Sequence, residues 1–214
     1  MVDYGEAIKR PFSDVKKLLI GIVIQLIPIV NFMAIGYQLK CANAMEKKFE
    51  LPEWEEWGNL FVKGLMAIVI GFIYMLPALI VLIVMGFTVI TTALSAVQGG
   101  VATGQPADIS GMLAGMMSIG VIIALVLMLI AAYLLPLALI SFVSSDSFGA
   151  AFRLGKIFRK AFKVNYIVVW IVMVIYSLVV NLIALFVPYV GSAAGLFITG
   201  VTAMTAFGEL YPEL

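Results

Sequence analysis

The stretch from residue 63 to residue 92, KGLMAIVIGFIYMLPALIVLIVMGFTVITT, has no charged residue after its first position. A charged side chain at the centre of a bilayer costs about 3 kcal/mol on insertion scales, so such a run is typical of a membrane-spanning helix. Residues 109–145 and 164–208 are free of charge in the same way. The sequence therefore predicts an integral membrane protein made of helices.

The composition supports this prediction and excludes several kinds of site. The 214 residues are 64% hydrophobic and 12% charged, about half the ~25% charged residues of a soluble domain. A net charge of +1 gives no reason to expect a nucleic-acid partner. Because histidine is absent and Cys41 is the one cysteine, the usual zinc ligand sets cannot be assembled. We expect no catalytic residue, no metal site, no cofactor and no enzymatic activity, since the apolar runs hold no proton-exchanging group.

Four segments are long enough to cross a membrane, which takes about 20 apolar residues at 1.5 Å each. They are residues 60–92, 116–143, 166–187 and 189–207. Pro77 and Pro136 lie inside the first two, where a kink is tolerated if neighbouring groups satisfy the freed carbonyls. We predict an all-α fold, a polytopic helical membrane bundle with four transmembrane helices, forming one membrane domain over residues 1–214.

A fifth apolar segment, residues 18–39, is interrupted by Pro28 and Asn31. Four basic residues precede it and four follow it, the last of them Lys63 near the start of the next span. If the segment crossed the membrane once, these equal groups would lie on opposite sides and would set no orientation. If it turns back at Pro28, both groups lie on the same side. We favour a re-entrant helical hairpin, with a fifth span as the alternative.

The positive-inside rule then predicts the orientation of the chain. The loop over residues 93–115 has no Lys or Arg and is placed outside, whereas residues 144–165 carry five basic residues and are placed inside. Both termini are predicted to be cytoplasmic, in a multi-pass protein of the cytoplasmic membrane. Cys41 would then react with an impermeant maleimide only in opened cells.

The first of two predicted interfacial amphipathic helices covers residues 53–63. Trp54 and Trp57 fall on one face at helical spacing, and tryptophan favours the headgroup zone, where its ring is sheltered and its N–H stays wet. We predict that both rings anchor this helix at the interface. The alternative is a docking surface for a basic partner, formed by Glu53, Glu55 and Glu56.

The second amphipathic helix covers residues 147–163, with Ser147 as its predicted N-cap. Its basic side chains share one sector about 120° wide, and they are Arg153, Lys156, Arg159, Lys160 and Lys163. A cation near an anionic bilayer contributes about 1 kcal/mol, so these residues are candidate contacts for lipid headgroups. The alternative is that they serve only to orient the chain.

Four amides lie inside apolar segments, namely Gln25, Asn31, Gln38 and Asn181. They predict either hydrogen bonds between helices or the lining of a path for a solute. Our leading prediction is a non-enzymatic membrane protein that organises lipids or partner proteins at the cytoplasmic face. The alternative is a small channel or permease component for a neutral or weakly charged solute. Expected partners are membrane lipids, anionic ones included, and a membrane-protein partner or a second copy.

Several motifs resemble a known family. The most specific is LPEWEEWGNLFVKGL at residues 51–65, and the others are PIVNF at 28–32, GY at 36–37, YMLP at 74–77, SFGAAF at 147–152 and FGELY at 207–211. Together they resemble domain of unknown function 4013, an archaeal family of multi-pass membrane proteins. The resemblance implies an archaeal cytoplasmic membrane protein, and it implies no activity and no site residue.

Overall fold

The structure, a computed structural model, describes residues 2–43, 50–103 and 110–214. Its regular elements over these residues are all helical, which confirms the all-α prediction. The α-helices are α1 (Tyr4–Lys9), α2 (Val15–Leu26), α3 (Asn31–Asn43), α4 (Trp57–Thr103), α5 (Ser110–Ser145), α6 (Leu154–Ala161), α7 (Val164–Ala184) and α8 (Val190–Leu210). Short 3-10 turns occupy Arg10–Phe12, Phe148–Phe152 and Tyr211–Glu213.

Helices α4, α5, α7 and α8 are long and apolar enough to cross a membrane, which confirms the four predicted spans. The first two are longer than expected, with 47 residues in α4 and 36 in α5. The hydroxyl-bearing residues near the end of α4 do not stop the helix, because Thr88, Thr91 and Ser95 each donate back to a carbonyl of the same helix. Pro77 and Pro136 lie within continuous helices.

Residues 18–39 form a helical hairpin, as predicted, and not a fifth span. Helices α2 and α3 have 12 and 13 residues, so each is about 20 Å long and too short to cross ~30 Å of hydrocarbon. They are joined through Ile27–Val30, and they pack against one another. Arg10, just before α2, donates to the carbonyl of Cys41 near the end of α3 at 2.9 Å. The end of α3 therefore lies beside the start of α2.

The predicted helix over residues 53–63 is wrong in its first half. Residues 50–56 are not helical, and α4 begins only at Trp57, after Glu56 with its left-handed φ of 54°. The carbonyls that a first helical turn would need are taken by side chains of the hairpin region. The donors are Lys17 to Leu51, Tyr37 to Pro52 and Lys40 to Glu53.

The single helix predicted over residues 147–163 is divided at Arg153, whose ψ of 65° is not helical. The part before it is a 3-10 turn and the part after it is α6. Ser147 precedes the turn, but its hydroxyl makes no capping hydrogen bond. At the break, the Ala150 carbonyl accepts from both the Arg153 N–H at 3.3 Å and the buried Ser141 hydroxyl at 3.0 Å.

The chain divides into two compact units. Unit 1 comprises Met1–Gly71 and Tyr133–Leu214, and unit 2 comprises Phe72–Ala132. In unit 1, α8 packs against α7, α3 and α2. In unit 2, α4 and α5 meet where the Met85 side chain lies against Gly120. The expectation of one membrane domain over residues 1–214 stays a prediction.

Glycines bring the hairpin of unit 1 close to its neighbours. A Cβ on Gly36 would lie 1.9 Å from the carbonyl oxygen of Leu60, and one on Gly64 would lie 1.8 Å from that of Phe32. Helices α3 and α4 therefore touch backbone to backbone, as membrane helices do where small residues meet.

Candidate functional site

Helix α6 is fixed to unit 1 along one side. Ile157 and Ala161 are buried, and the hydroxyl of Tyr133 on α5 donates to the Ala161 carbonyl. The Tyr133 ring packs edge-on against Tyr166 and Trp170 of α7, with centroids 5.1 and 5.2 Å away. The position of α6 is therefore set by two membrane-spanning helices.

The other sides of α6 form two exposed surfaces. At 100° per residue, the exposed apolar residues lie beside the buried residues Ile157 and Ala161. The basic residues lie on the remaining side of the helix. The apolar surface consists of Leu154, Phe158 and Phe162, which are 49%, 41% and 76% exposed. A helix with this arrangement lies in the plane of a membrane interface, with its apolar row toward the acyl chains and its cations toward the phosphates.

The five predicted lipid-contact cations fall into two groups. Arg153, Lys156 and Arg159 are exposed, and among the described residues no ion pair or hydrogen bond engages their side chains. Lys160 and Lys163 instead hold the C-terminal 3-10 turn, by donating to the carbonyls of Tyr211 at 3.1 Å and Glu213 at 3.3 Å. The free cationic surface therefore has three members and not five.

Lys160 also lies over the Tyr211 ring, 3.4 Å from its centroid. Burial lowers the pKa of Lys160 below its ordinary value, and the neighbouring Tyr211 partly offsets this by favouring the charged form. The spacing of cations along the sequence could not separate Lys160 from Lys156, because the difference depends on a turn 51 residues further along the chain.

Trp54 packs against other residues of unit 1, and its predicted role as an interfacial anchor stays a prediction. Its ring stacks on Tyr37 with centroids 3.8 Å apart, and its indole N–H donates to the Lys17 carbonyl at 3.2 Å. Trp57 is 43% exposed at the start of α4, so its role as an interfacial anchor stays a prediction.

The acidic residues beside these tryptophans are also not one free surface. Glu53 accepts from the Lys17 ammonium at 2.6 Å, and this hydrogen bond raises the pKa of Lys17. Glu55 and Glu56 are exposed, and Glu56 accepts from the Asn59 amide at 2.9 Å. Glu53 therefore belongs to the base of the hairpin.

Arg10 is a residue that sequence reasoning missed. It is 2% exposed, and its guanidinium donates to the Cys41 carbonyl at 2.9 Å, the Thr205 hydroxyl at 3.0 Å and the Glu50 carbonyl at 3.2 Å. The available signal was its identity: it is the only arginine among the basic residues before Arg153, and a guanidinium fork can serve several acceptors at once. The positive-inside rule counts Arg10 and Lys9 equally, so it gives no sign that Arg10 is buried.

Cys41 lies in the same buried cluster, not in an accessible loop. Burial raises the pKa of its thiol to about 12, and the nearby Arg10 charge opposes this only in part. The expected labelling in opened cells is therefore wrong, because the folded protein offers neither access nor thiolate. A maleimide at Cys41 would report unfolding and not sidedness.

The four intramembrane amides do not converge on one cavity. Gln25 Oε1 and Asn31 Oδ1 are buried and find no hydrogen-bond partner among the described residues, whereas Gln38 donates to the Leu196 carbonyl at 3.4 Å. Asn181 donates to the Ser177 carbonyl at 2.7 Å. It lines a cavity of about 260 Å³ with Leu178, Leu182, Ala184, Leu185 and Ser192, a set without any residue of the hairpin.

Comparison with known proteins gives a family and no described activity. The family model described as "Protein of unknown function (DUF4013)" matches residues 19–189, the greater part of the chain. No curated protein and no solved structure matches the sequence. The archaeal origin implied by the resemblance stays an expectation.

Proposed function

The chain belongs to the DUF4013 family, which is described as being of unknown function, and we propose that it binds anionic lipid headgroups through α6. It organises those lipids at the cytoplasmic face of the membrane. The observation that carries the proposal is the arrangement of α6, with one side held by the bundle, an exposed apolar row beside it, and exposed cations on the remaining side.

The three free cations determine how strongly α6 favours anionic over neutral lipid. Each contributes about 1 kcal/mol near an anionic surface, so Arg153, Lys156 and Arg159 together contribute about 3 kcal/mol before screening by salt. The apolar row adds burial of Leu154, Phe158 and Phe162 in the acyl boundary, which does not depend on headgroup charge. We therefore expect α6 to stay at the interface in neutral lipid and to enrich anionic lipid when it is present.

The orientation is supported by the basic residues of the loop between α5 and α7, since the positive-inside rule places such loops in the cytoplasm. A membrane-protein partner with an acidic loop would meet the same cations. Lipid is the better fit because the exposed apolar row lies on the same helix as the charges. A hydrated acidic loop would not cover this apolar row.

The test compares two double variants of the purified chain in nanodiscs that contain labelled anionic lipid. Lys156→Gln with Arg159→Gln removes two free cations from α6. Lys9→Gln with Lys16→Gln removes two exposed cations from the N-terminal region and is the matched control. We expect the α6 variant to lose up to about 30-fold in relative affinity for anionic lipid, the equivalent of ~2 kcal/mol, while the control stays close to the wild type.

Equal lipid enrichment in both variants would reject the proposal. If the α6 variant isolated from native membranes loses a stoichiometric protein partner that the wild type retains, and its lipid enrichment is unchanged, the same surface would be assigned to a protein. Both variants alter exposed side chains, so each should keep the wild-type melting temperature.

One observation favours the alternative of a small channel or permease component. The unpartnered oxygens of Gln25 and Asn31 lie at the turn of a hairpin, where irregular backbone is tolerated if it is buried in protein or lines a water-filled path. Solute uptake by vesicles that contain Asn31→Leu would test it. Uptake equal to that of wild-type vesicles would remove the hairpin turn from any such path.

A further inference from the structure

The turn between α7 and α8 in unit 1 exposes large apolar side chains and carries no charge. It reads ALFVPYV at residues 184–190, within a stretch from residue 164 to residue 208 that has no charged residue. Turns in water are usually made of glycine and short polar residues. Here the side chains that are between 54% and 88% exposed are Leu185, Phe186, Val187 and Tyr189. A contiguous apolar patch of this kind is suited to an apolar neighbour and not to water.

The backbone of this turn pairs its donors within the turn. The N–H groups of Leu185, Phe186 and Val187 donate to carbonyls of the last turn of α7, at 3.2 Å each. Pro188 has no N–H, and the N–H of Gly191 donates to the Val187 carbonyl at 2.8 Å. These groups therefore need no water, which is the condition for placing backbone in an apolar environment.

The length of α7 places the turn at the edge of the hydrocarbon core. The helix has 21 residues, which is about 32 Å at 1.5 Å per residue. It begins directly after Lys163, whose charge belongs at the interface on the side of α6. A core of ~30 Å then ends close to Ala184, and any tilt of α7 would bring the turn deeper. The turn therefore lies at the opposite interface, where aromatic rings are favoured.

A cavity beside the turn has the shape of a single chain. Its volume is about 260 Å³, below the ~300–1,000 Å³ of sites that take a whole small molecule. Leu178, Leu182 and Leu185 line it along α7, and Ser192 lines it from α8. The three leucines follow at intervals of four and three positions, so they share one face over about 10 Å of helix. The cavity therefore runs along the helix axis, in the direction that lipid chains take.

We propose that the turn over residues 185–189 is an anchor in the leaflet opposite α6, and that one hydrocarbon chain of a lipid in that leaflet lies in the cavity. The occupant is a chain and not a headgroup, because leucines form most of the lining. The two polar side chains of the lining already donate to backbone carbonyls, Asn181 to Ser177 and Ser192 to Tyr189. The site carries no charge, so it does not rest on the lipid binding proposed for α6.

Spin labels on single cysteines test the depth of the turn in nanodiscs of neutral lipid. Phe186→Cys labels the turn, Ile175→Cys labels an exposed position in the middle of α7, and Glu55→Cys labels an exposed polar position. The buried Cys41 of the wild-type chain gives the background. We expect the label at position 186 to collide with oxygen in preference to a water-soluble nickel chelate, as at position 175. Equal nickel access at positions 186 and 55 would overturn the proposal and leave the turn to water or to a partner protein.

Photo-labelling tests the cavity with phosphatidylcholine that carries a diazirine on one acyl chain, in nanodiscs without anionic lipid. Ser192→Trp fills the cavity, whereas Leu196→Trp places the same ring at an exposed position of α8 outside the lining and is the control. Both variants alter exposed side chains, so each should keep the wild-type melting temperature. We expect labelling of residues 178–185 to fall several-fold in Ser192→Trp and to stay at the wild-type level in the control. Equal labelling in the two variants would overturn the proposal for the cavity.

Discussion

The base of the hairpin in unit 1 and the helices of unit 2 differ in which groups satisfy their backbone carbonyls. At the base of the hairpin, side chains of Arg10, Lys17, Tyr37 and Lys40 donate to the backbone carbonyls of Cys41, Leu51, Pro52 and Glu53. In unit 2, the helical backbone satisfies itself, and Thr88 and Thr91 return their hydroxyls to their own helix.

The difference shows where a membrane chain of this kind needs contacts between residues that lie far apart in the sequence. Where the chain leaves helical geometry, a carbonyl that packing covers needs a side-chain donor, because it has lost its helical partner. In a continuous helix the backbone carbonyls accept from N–H groups of the same helix, so its side chains determine only which other elements pack against it. We expect substitutions of buried residues at the base of the hairpin to lower stability more than substitutions at exposed positions of unit 2.

The largest expected effect is at Arg10. Arg10→Met keeps much of the side-chain volume but leaves the buried Cys41 and Glu50 carbonyls without this donor, and we expect a loss of about 3 kcal/mol in the free energy of unfolding. Unfolding by denaturant in micelles measures it. The adjacent and exposed Lys9→Met is the control and should stay within about 0.5 kcal/mol of the wild type. Equal losses in the two variants would mean that the base of the hairpin does not depend on the buried guanidinium.

The glycine pair Gly36 and Gly86 compares the two units directly. Gly36→Ala places a Cβ 1.9 Å from the Leu60 carbonyl oxygen, so α3 and α4 must separate, at a cost of about 1–3 kcal/mol. Gly86→Ala meets no atom within 4 Å and should gain up to about 1 kcal/mol from helix propensity. Melting temperatures of the two variants in the same detergent should therefore move in opposite directions. A shift of the same sign would contradict the contrast between the units.

The smallest effect is expected at the exposed ion pair of the hairpin base. Glu53→Gln removes the charge that accepts from Lys17 at 2.6 Å. Since the Glu53 side chain is 66% exposed, we expect a loss below about 1 kcal/mol that shrinks further at high salt. Glu55→Gln is the control and should change nothing measurable. A salt-independent loss at Glu53 would show that the carboxylate acts through geometry and not through charge.

Much of the fold could be predicted from the sequence because exclusion of charge is a local signal. The four spans and the turn at Pro28 follow from composition and from a residue without an N–H donor. The ends of the elements could not be predicted in the same way. Residues 53–56 were predicted as the start of an amphipathic helix, whereas in the structure the carbonyls of Leu51, Pro52 and Glu53 accept from Lys17, Tyr37 and Lys40.

The candidate site shows the same limit. Helical periodicity predicted the five cations on one face, and it could not show that Lys160 and Lys163 hold the C-terminal turn. It also predicted Trp54 as an interfacial anchor, and it could not show that the Trp54 ring stacks on Tyr37. Each of these missed contacts joins residues that lie far apart in the chain.

The sequence by itself determined that the chain partitions into a membrane as helices, because the cost of burying charge is settled residue by residue. The tertiary structure decided which polar side chains are free. Arg10 is taken inside by carbonyls of distant segments, Trp54 is covered by an aromatic neighbour, and Arg153, Lys156 and Arg159 are left exposed. The physical reason is that hydrogen-bond donors and acceptors are matched across space, so only the folded chain shows which of them have been used.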